Sequence, residues 1–261
     1  MIEINKNYEI IDTHLHMGEL AYFNTGGNTD RQIIELIEKL KVKKAVFSHH
    51  GALSTVGLGF DKTVTILKKY RGFLFAYLVF NPNYCQKTLD TIKSNIENDG
   101  FVGVKIHPSW HKVYPYDEKY KLFWEYADAN NLVVLTHSWN PHVANRDQKY
   151  SDPFFFKDIL EKYDGIKLIL AHGGGRGNYL YRTIELLKQF NNLYVDFAGD
   201  IFLPGLLENY VKEVGSSRIL FGTDMPWSDI RYHIIRVLDS NISAEDKKNI
   251  FSGNAKKLFK F

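Results

Sequence analysis

Short apolar runs rich in β-branched and aromatic residues alternate along this chain with longer stretches whose apolar residues recur every three or four positions. The short runs are Tyr8–Leu15, Ala45–Ser48, Phe73–Phe80, Phe101–Ile106, Leu132–Thr136, Ile166–Ala171, Leu193–Phe197 and Arg218–Gly222. Nearly continuous apolarity of this kind marks strands buried on both faces. The longer stretches predict helices at Asp30–Leu40, Lys62–Tyr70, Lys87–Asn98, Glu118–Asn130, Pro153–Tyr163, Asn178–Phe190, Pro204–Val214 and Ile230–Asp239. In the third of them Leu89, Ile92 and Ile96 fall on one face. Eight strand-then-helix units within 261 residues predict an α/β fold, a (β/α)8 TIM barrel. An open doubly wound sheet is the alternative. The tail, Ser243–Phe261, reads as one or two short helices closing the barrel's outside, with Ser243 as N-cap before acidic residues. No composition shift or long linker divides the chain, so residues 1–261 are expected to form one domain.

The polar residues that interrupt this pattern fall at one kind of place. The first strand ends in His14 and His16, the second in His49 and His50, and the fourth in Lys105 and His107. The fifth ends in His137, the sixth in His172 and the eighth in Asp224. Seven of the ten histidines therefore stand at or just past the C-terminal end of a strand. In a barrel these ends converge on one mouth, where the chemistry of the fold resides. Residues i and i+2 on a strand share a face, so His14 and His16 can grip one ion. Imidazole is the commonest metal-binding side chain near neutral pH because it can be neutral and keep a lone pair. Lys105 shares the inward face with Phe101, Gly103 and His107, while Val102, Val104 and Ile106 should pack on helices. A buried lysine must be paired, neutralised or modified, and Asp224 is one candidate partner.

Composition narrows the classes. The chain is 44% apolar and 24% charged, with a net charge of +3 and scattered basic residues, which gives no support to a nucleic-acid surface. Cys85 is the single cysteine, which rules out an internal disulfide. No signal-peptide pattern and no run of about 18 apolar residues is present, so a cytoplasmic protein with no membrane partner is expected.

Taken in order, "IDTHLH" at 11–16, "GVKIHP" at 103–108, "THSW" at 136–139, "AHGGG" at 171–175, "FGTDMPW" at 221–227 and "SGNAKKLF" at 252–259 resemble the motifs of the amidohydrolase superfamily. The branch most similar is that of aminocarboxymuconate-semialdehyde decarboxylase and related hydrolases. The resemblance implies a barrel holding one divalent ion, most often Zn²⁺, on His14, His16, His137 and Asp224. It implies His172 as the acid–base partner of a metal-activated water, with Asp224 able to share that role. It also implies a second ion if Lys105 is carboxylated, in which case His137 and His172 would serve that ion. The larger decarboxylases of the branch carry long insertions after the first strand, whereas the loop here, Met17–Asn28, is short.

Around the ion, Trp110, Trp139 and Trp227 are placed to wall an aromatic or apolar pocket, or else to cap the barrel mouth. His107 is a candidate for substrate contact, and Arg176 could hold a carboxylate or phosphate. His49 and His50 read as surface residues, although one could line the pocket, and Asp12 could accept a hydrogen bond from a ligand histidine or serve a purely structural role. The leading expectation is a metal-dependent hydrolase of a small amide, lactone or related C–N or C–O bond. The alternative is a non-oxidative decarboxylase of a small unsaturated or aromatic acid, and the third reading is a non-catalytic metal-binding barrel. The partner expected is a small-molecule substrate, with a homodimer as an open expectation.

Overall fold

The structure is a computed structural model that describes residues 8–19, 29–54 and 58–261. The loop read as Met17–Asn28 lies for the most part outside the described residues. β1 (Ile11–Met17) leads to α1 (Asp30–Lys39), and β2 (Lys44–His49) to α2 (His50–Ser54) and α3 (Leu58–Lys69). β3 (Leu74–Val79) leads to α4 (Cys85–Asn95), and β4 (Phe101–Ile106) to the single turn α5 (Pro108–His111) and then α6 (Lys121–Ala129). β5 (Val133–Thr136) is followed by α7 (Phe156–Lys162), β6 (Lys167–Leu170) by α8 (Tyr179–Gln189), and β7 (Leu193–Asp196) by α9 (Leu206–Val214). β8 (Ile219–Leu220) precedes α10 (Ile230–Asp239), α11 (Ala244–Lys248) and α12 (Asn254–Phe259).

Each strand pairs in parallel with the next in sequence order, from β1 to β8. That order has no reversal, which removes the doubly wound alternative and makes the fold a (β/α)8 TIM barrel. The ring closes through backbone bonds between β1 and the segment after β8. Thr13 N donates to Phe221 O (2.9 Å), His16 N to Met225 O (2.6 Å), and Thr223 N and Asp224 N both donate to His14 O (3.1 and 2.7 Å). β8 is shorter than its apolar run because Phe221–Met225 leave the ladder to make this closure. The first and last polar motifs of the sequence meet there.

Outward residues such as Phe47, Ala76, Val104, Ile106, Leu168 and Leu170 pack against Ile33, Ile37, Leu89, Ile92 and Phe123 of the helices. α1 is opened by a capping box between Thr29 and Gln32, and α11 by one between Ser243 and Asp246. The expected alternation on β4 holds for Val104, Lys105 and Ile106 but fails at its start. Phe101 stacks on Phe60 with ring centroids 6.1 Å apart, and Val102 joins the inner cluster. A register irregularity where Ala76 and Tyr77 pair with β4 accounts for the exchange.

The tail covers the outside of the barrel only in part. Phe251 packs on Phe221 there (centroids 5.4 Å apart), but α12 turns under the base. Its Ala255 and Leu258 are buried against the inward residues Ile11, Val46, Val133, Ile169 and Leu220. Asn254 Nδ2 fixes that turn by donating to Ser216 O and Ile219 O, 2.7 Å each. No helix among the described residues is long and apolar enough to cross a membrane.

Candidate metal centre

β1 delivers His14 and His16 to the interior two residues apart, and both are buried. The bonds that close the barrel at His14 O carry Asp224 to them. His16 Nε2 lies 3.0 Å from Asp224 Oδ1 and His14 Nε2 3.4 Å from the same oxygen. His172 follows β6, and His14, His172 and Asp224 each offer one atom within 4.8 Å of the others. His137, after β5, sits with Nδ1 3.2 Å from His172 Nε2. All the expected metal-ligating and acid–base residues therefore converge, with His16 and His137 flanking the central trio.

Two backbone features make the convergence possible. His172 and Asp224 have φ of 62° and 63°, a region costly for residues other than glycine and enriched at functional sites. The adjoining glycines allow close approach. A Cβ at Gly175 would stand 2.5 Å from Asn140 N, and one at Gly199 would stand 3.1 Å from His172 Nδ1.

The outer ring nitrogens are held in place. His14 Nδ1–H donates to Asp196 Oδ2 (3.0 Å), His172 Nδ1–H donates to Ala198 O (2.9 Å), and His16 Nδ1 bonds Ser48 Oγ (2.9 Å). Asp196, the last residue of β7, also accepts from His172 N and Ala198 N (2.9 and 3.0 Å). Burial alone would raise its carboxyl, but His14 and His172 together hold it well below the usual carboxylate range. Of the two roles open to Asp12, the structural one holds: it accepts from Thr223 Oγ1 (2.6 Å) and from the His14 backbone N–H (3.0 Å). It secures the barrel seam, and burial pushes its pKa up to about 7.

Burial and then the Lys105 charge lower His14 to about 4, and burial holds His16, His107 and His137 well below the ordinary imidazole value. These rings are neutral at pH 7. Lys105 is itself buried, with Nζ 3.2 Å from His14 Nε2 and no ion pair to a carboxylate among the described residues. Burial lowers it to about 8, against the pull of Asp224 and Asp196. Neutral imidazoles with lone pairs turned inward, a carboxylate among them and outer nitrogens already bonded are the donor set and outer shell of a divalent-ion site. The residues fit such an ion.

Above the cluster opens a cavity of about 570 Å³ walled by Trp110, Trp139 and Trp227, with His107 and Lys105 also lining it. His107 stacks on His137 with centroids 4.1 Å apart. Arg176 is not among the lining residues. Its guanidinium pairs with Asp200 at the rim and stands 5.9 Å from the centre of the Trp139 ring. The surface reading of His49 and His50 is corrected: both are buried. His50 lines the cavity, stacks on His16 (4.6 Å, 9°), bonds Gly18 O through Nδ1 (2.7 Å) and accepts from Trp227 Nε1 (3.2 Å). Asp196, Ser48 and Gln148 were missed. Asp196 carried the signal that marked Asp224, an acid ending an apolar strand; the other two carried none.

Known proteins share this architecture. The structure of 2,6-dihydroxybenzoate decarboxylase from Rhizobium superposes with a TM-score of 0.79 at 16% identity, covering 97% of this chain and 99% of that one. Dihydroxybenzoic acid decarboxylase from Polaromonas sp. JS666, solved with bound manganese and 2-nitroresorcinol, gives a TM-score of 0.73 at 17% identity, covering 97% of each chain. At such identities the likeness is one of fold. Among curated proteins, gamma-resorcylate decarboxylase of Polaromonas sp. is 31% identical over 120 residues, which is 39% of this chain and 36% of that protein. The model of the amidohydrolase family matches residues 11–261, from β1 to the end of the tail. The chain belongs to the amidohydrolase family.

Proposed function

We propose that the protein is a divalent-metal-dependent, non-oxidative decarboxylase of a small aromatic carboxylic acid. The observation that carries this reading is the indole-walled cavity seated on a cluster of neutral histidines, Asp224 and Lys105. Indole walls suit a flat ring, and a floor that carries Lys105 and a divalent ion would draw an anionic substituent. The relatives named above are decarboxylases of dihydroxylated aromatic acids, and this reading therefore takes precedence over amide or lactone hydrolysis.

A divalent ion bound by His14, His16, His137 and Asp224 would supply a fixed positive charge for the substrate's carboxylate and a neighbouring oxygen. Manganese in the Polaromonas structure and the mixed nitrogen and oxygen donors here make Mn²⁺ the first ion to test, ahead of Zn²⁺. Lys105 adds charge to the same floor. His172, with Nδ1 committed to Ala198 O, faces the cavity through Nε2 and, once protonated there as the imidazolium, is the group to carry that proton to the ring carbon bearing the carboxylate. Asp224 is its partner in that transfer. A C–H bond forms at that carbon, the C–C bond to the carboxylate then breaks, and its electron pair restores the aromatic ring as CO2 leaves.

The test is CO2 release by the Mn²⁺-loaded protein from 2,6-dihydroxybenzoate and related hydroxybenzoates, with amides and lactones in parallel. Release of CO2 with a proton gained at the vacated carbon is expected. Turnover of a lactone or amide with no CO2 from any aromatic acid would refute the reading.

A further inference from the structure

His14, His16 and His172 all turn Nε2 toward the interior and anchor Nδ1 outward. His137 is reversed. Its Nε2 lies 3.0 Å from Gln148 Oε1, and its Nδ1 faces His172 Nε2 at 3.2 Å. An amide oxygen can only accept, so His137 Nε2 carries the proton and Nδ1 the lone pair. In the neutral imidazole of His172, Nε2 is likewise the lone pair, because Nδ1–H donates to Ala198 O. Two acceptor nitrogens held 3.2 Å apart repel each other unless a cation lies within reach of both.

We infer that Gln148 is a positioning residue that sets the His137 tautomer and so directs Nδ1, rather than Nε2, at the divalent-ion site. This rests on reading His137 as a ligand. Gln148 is itself held in place by the backbone around it. It lies in the short turn Arg146–Ser151, where Gln148 N donates to Asn145 O (3.2 Å). Ser151 ties the turn to two neighbouring loops, its carbonyl accepting from Trp139 N (2.8 Å) and its hydroxyl from Ser109 N (3.0 Å). Lys112 and Asp147, 3.1 Å apart, add a third link. The acceptor thus comes from a turn braced by the loops after β4 and β5, well past the end of β5 along the chain.

The experiment measures Mn²⁺ affinity of the full chain by competition with a chelating dye, and histidine tautomers of the metal-free protein by long-range ¹H–¹⁵N spectra. In the wild type His137 should show its proton on Nε2. Gln148→Leu should weaken Mn²⁺ binding about 10–100-fold, and Gln148→Glu, which keeps an acceptor, should stay within about threefold of wild type or bind tighter. Equal losses in both variants would show mere steric support and overturn the inference, as would a wild-type spectrum with the proton on Nδ1. Wild-type affinity in His137→Ala overturns the ligand reading and the inference with it. Loss in His137→Ala alongside wild-type affinity in Gln148→Leu overturns the inference alone.

Discussion

At the base of the barrel the inward positions are Ile11, Val46, Val133, Ile169 and Leu220, sealed by Ala255 and Leu258 from the tail. At the mouth β1, β5, β6 and β8, or the residues just beyond them, carry His14, His16, His137, His172 and Asp224, while β4 and β7 add Lys105 and Asp196. Both ends are buried, yet the energetics are opposed. Each apolar group removed from water at the base stabilises the fold by about 25 cal/mol per Å². Each polar group at the mouth costs free energy unless a partner replaces the lost water. The mouth meets that cost in two ways: burial keeps His14, His16, His107 and His137 neutral, and Asp196 keeps its charge by accepting from His14, His172 and Ala198. One end of the barrel supplies stability that the other end uses for chemistry.

The contrast predicts that lesions at the two ends separate function from stability. The largest effect is expected from His14→Ala combined with His16→Ala, which should abolish Mn²⁺ retention and turnover while the circular dichroism of the barrel persists. Unfolding of this variant would show that the mouth is also structural. His172→Ala should keep the ion and lower kcat by about 10²–10⁴-fold, the usual size of a general acid's contribution. Loss of the ion in this variant would instead favour two metals bridged by a carboxylated Lys105.

At the base, Leu258→Ala should cost about 2–5 kcal/mol in urea unfolding and leave kcat/KM of the folded enzyme unchanged. A fall in kcat/KM would mean that the two ends are coupled. The smallest effect concerns pH. His111 is buried with Nε2–H donating to Leu53 O (2.9 Å), and burial lowers its pKa to about 4. An unfolded histidine titrates near 6.5, so between about pH 6.5 and 4 the unfolded chain binds the extra proton and stability falls as pH falls. His111→Gln should flatten that acid limb by no more than about 3 kcal/mol, read from unfolding curves at pH 7 and pH 4.5. An unchanged limb would assign acid sensitivity to the histidines of the mouth.

Much of this organisation was legible in the residues because it is local. Apolar runs of strand length and the face shared by Leu89, Ile92 and Ile96 located the elements. The odd polar residues at strand ends located His14, His16, Lys105, His137, His172 and Asp224 together. What escaped was of two kinds. Phe101 and Val102 exchanged faces because of an irregularity in pairing with β3, which no pattern on β4 records. Ser48 and Gln148 were missed because a polar residue becomes a ligand's partner only through proximity across the chain. His50 read as a surface residue because nothing in its neighbourhood shows that it stacks on His16.

The sequence by itself determined that alternating strands and helices would form a parallel barrel, and that its polar residues would gather at one mouth. Both follow from periodicity and from the single direction of parallel strands. The tertiary structure decided which nitrogen of each histidine turns inward, which acid holds His14, and that the tail plugs the base. Those outcomes depend on hydrogen bonds and contacts between residues as far apart as His14 and Asp196, or Ile11 and Leu258. Such pairings exist only once the ring has closed.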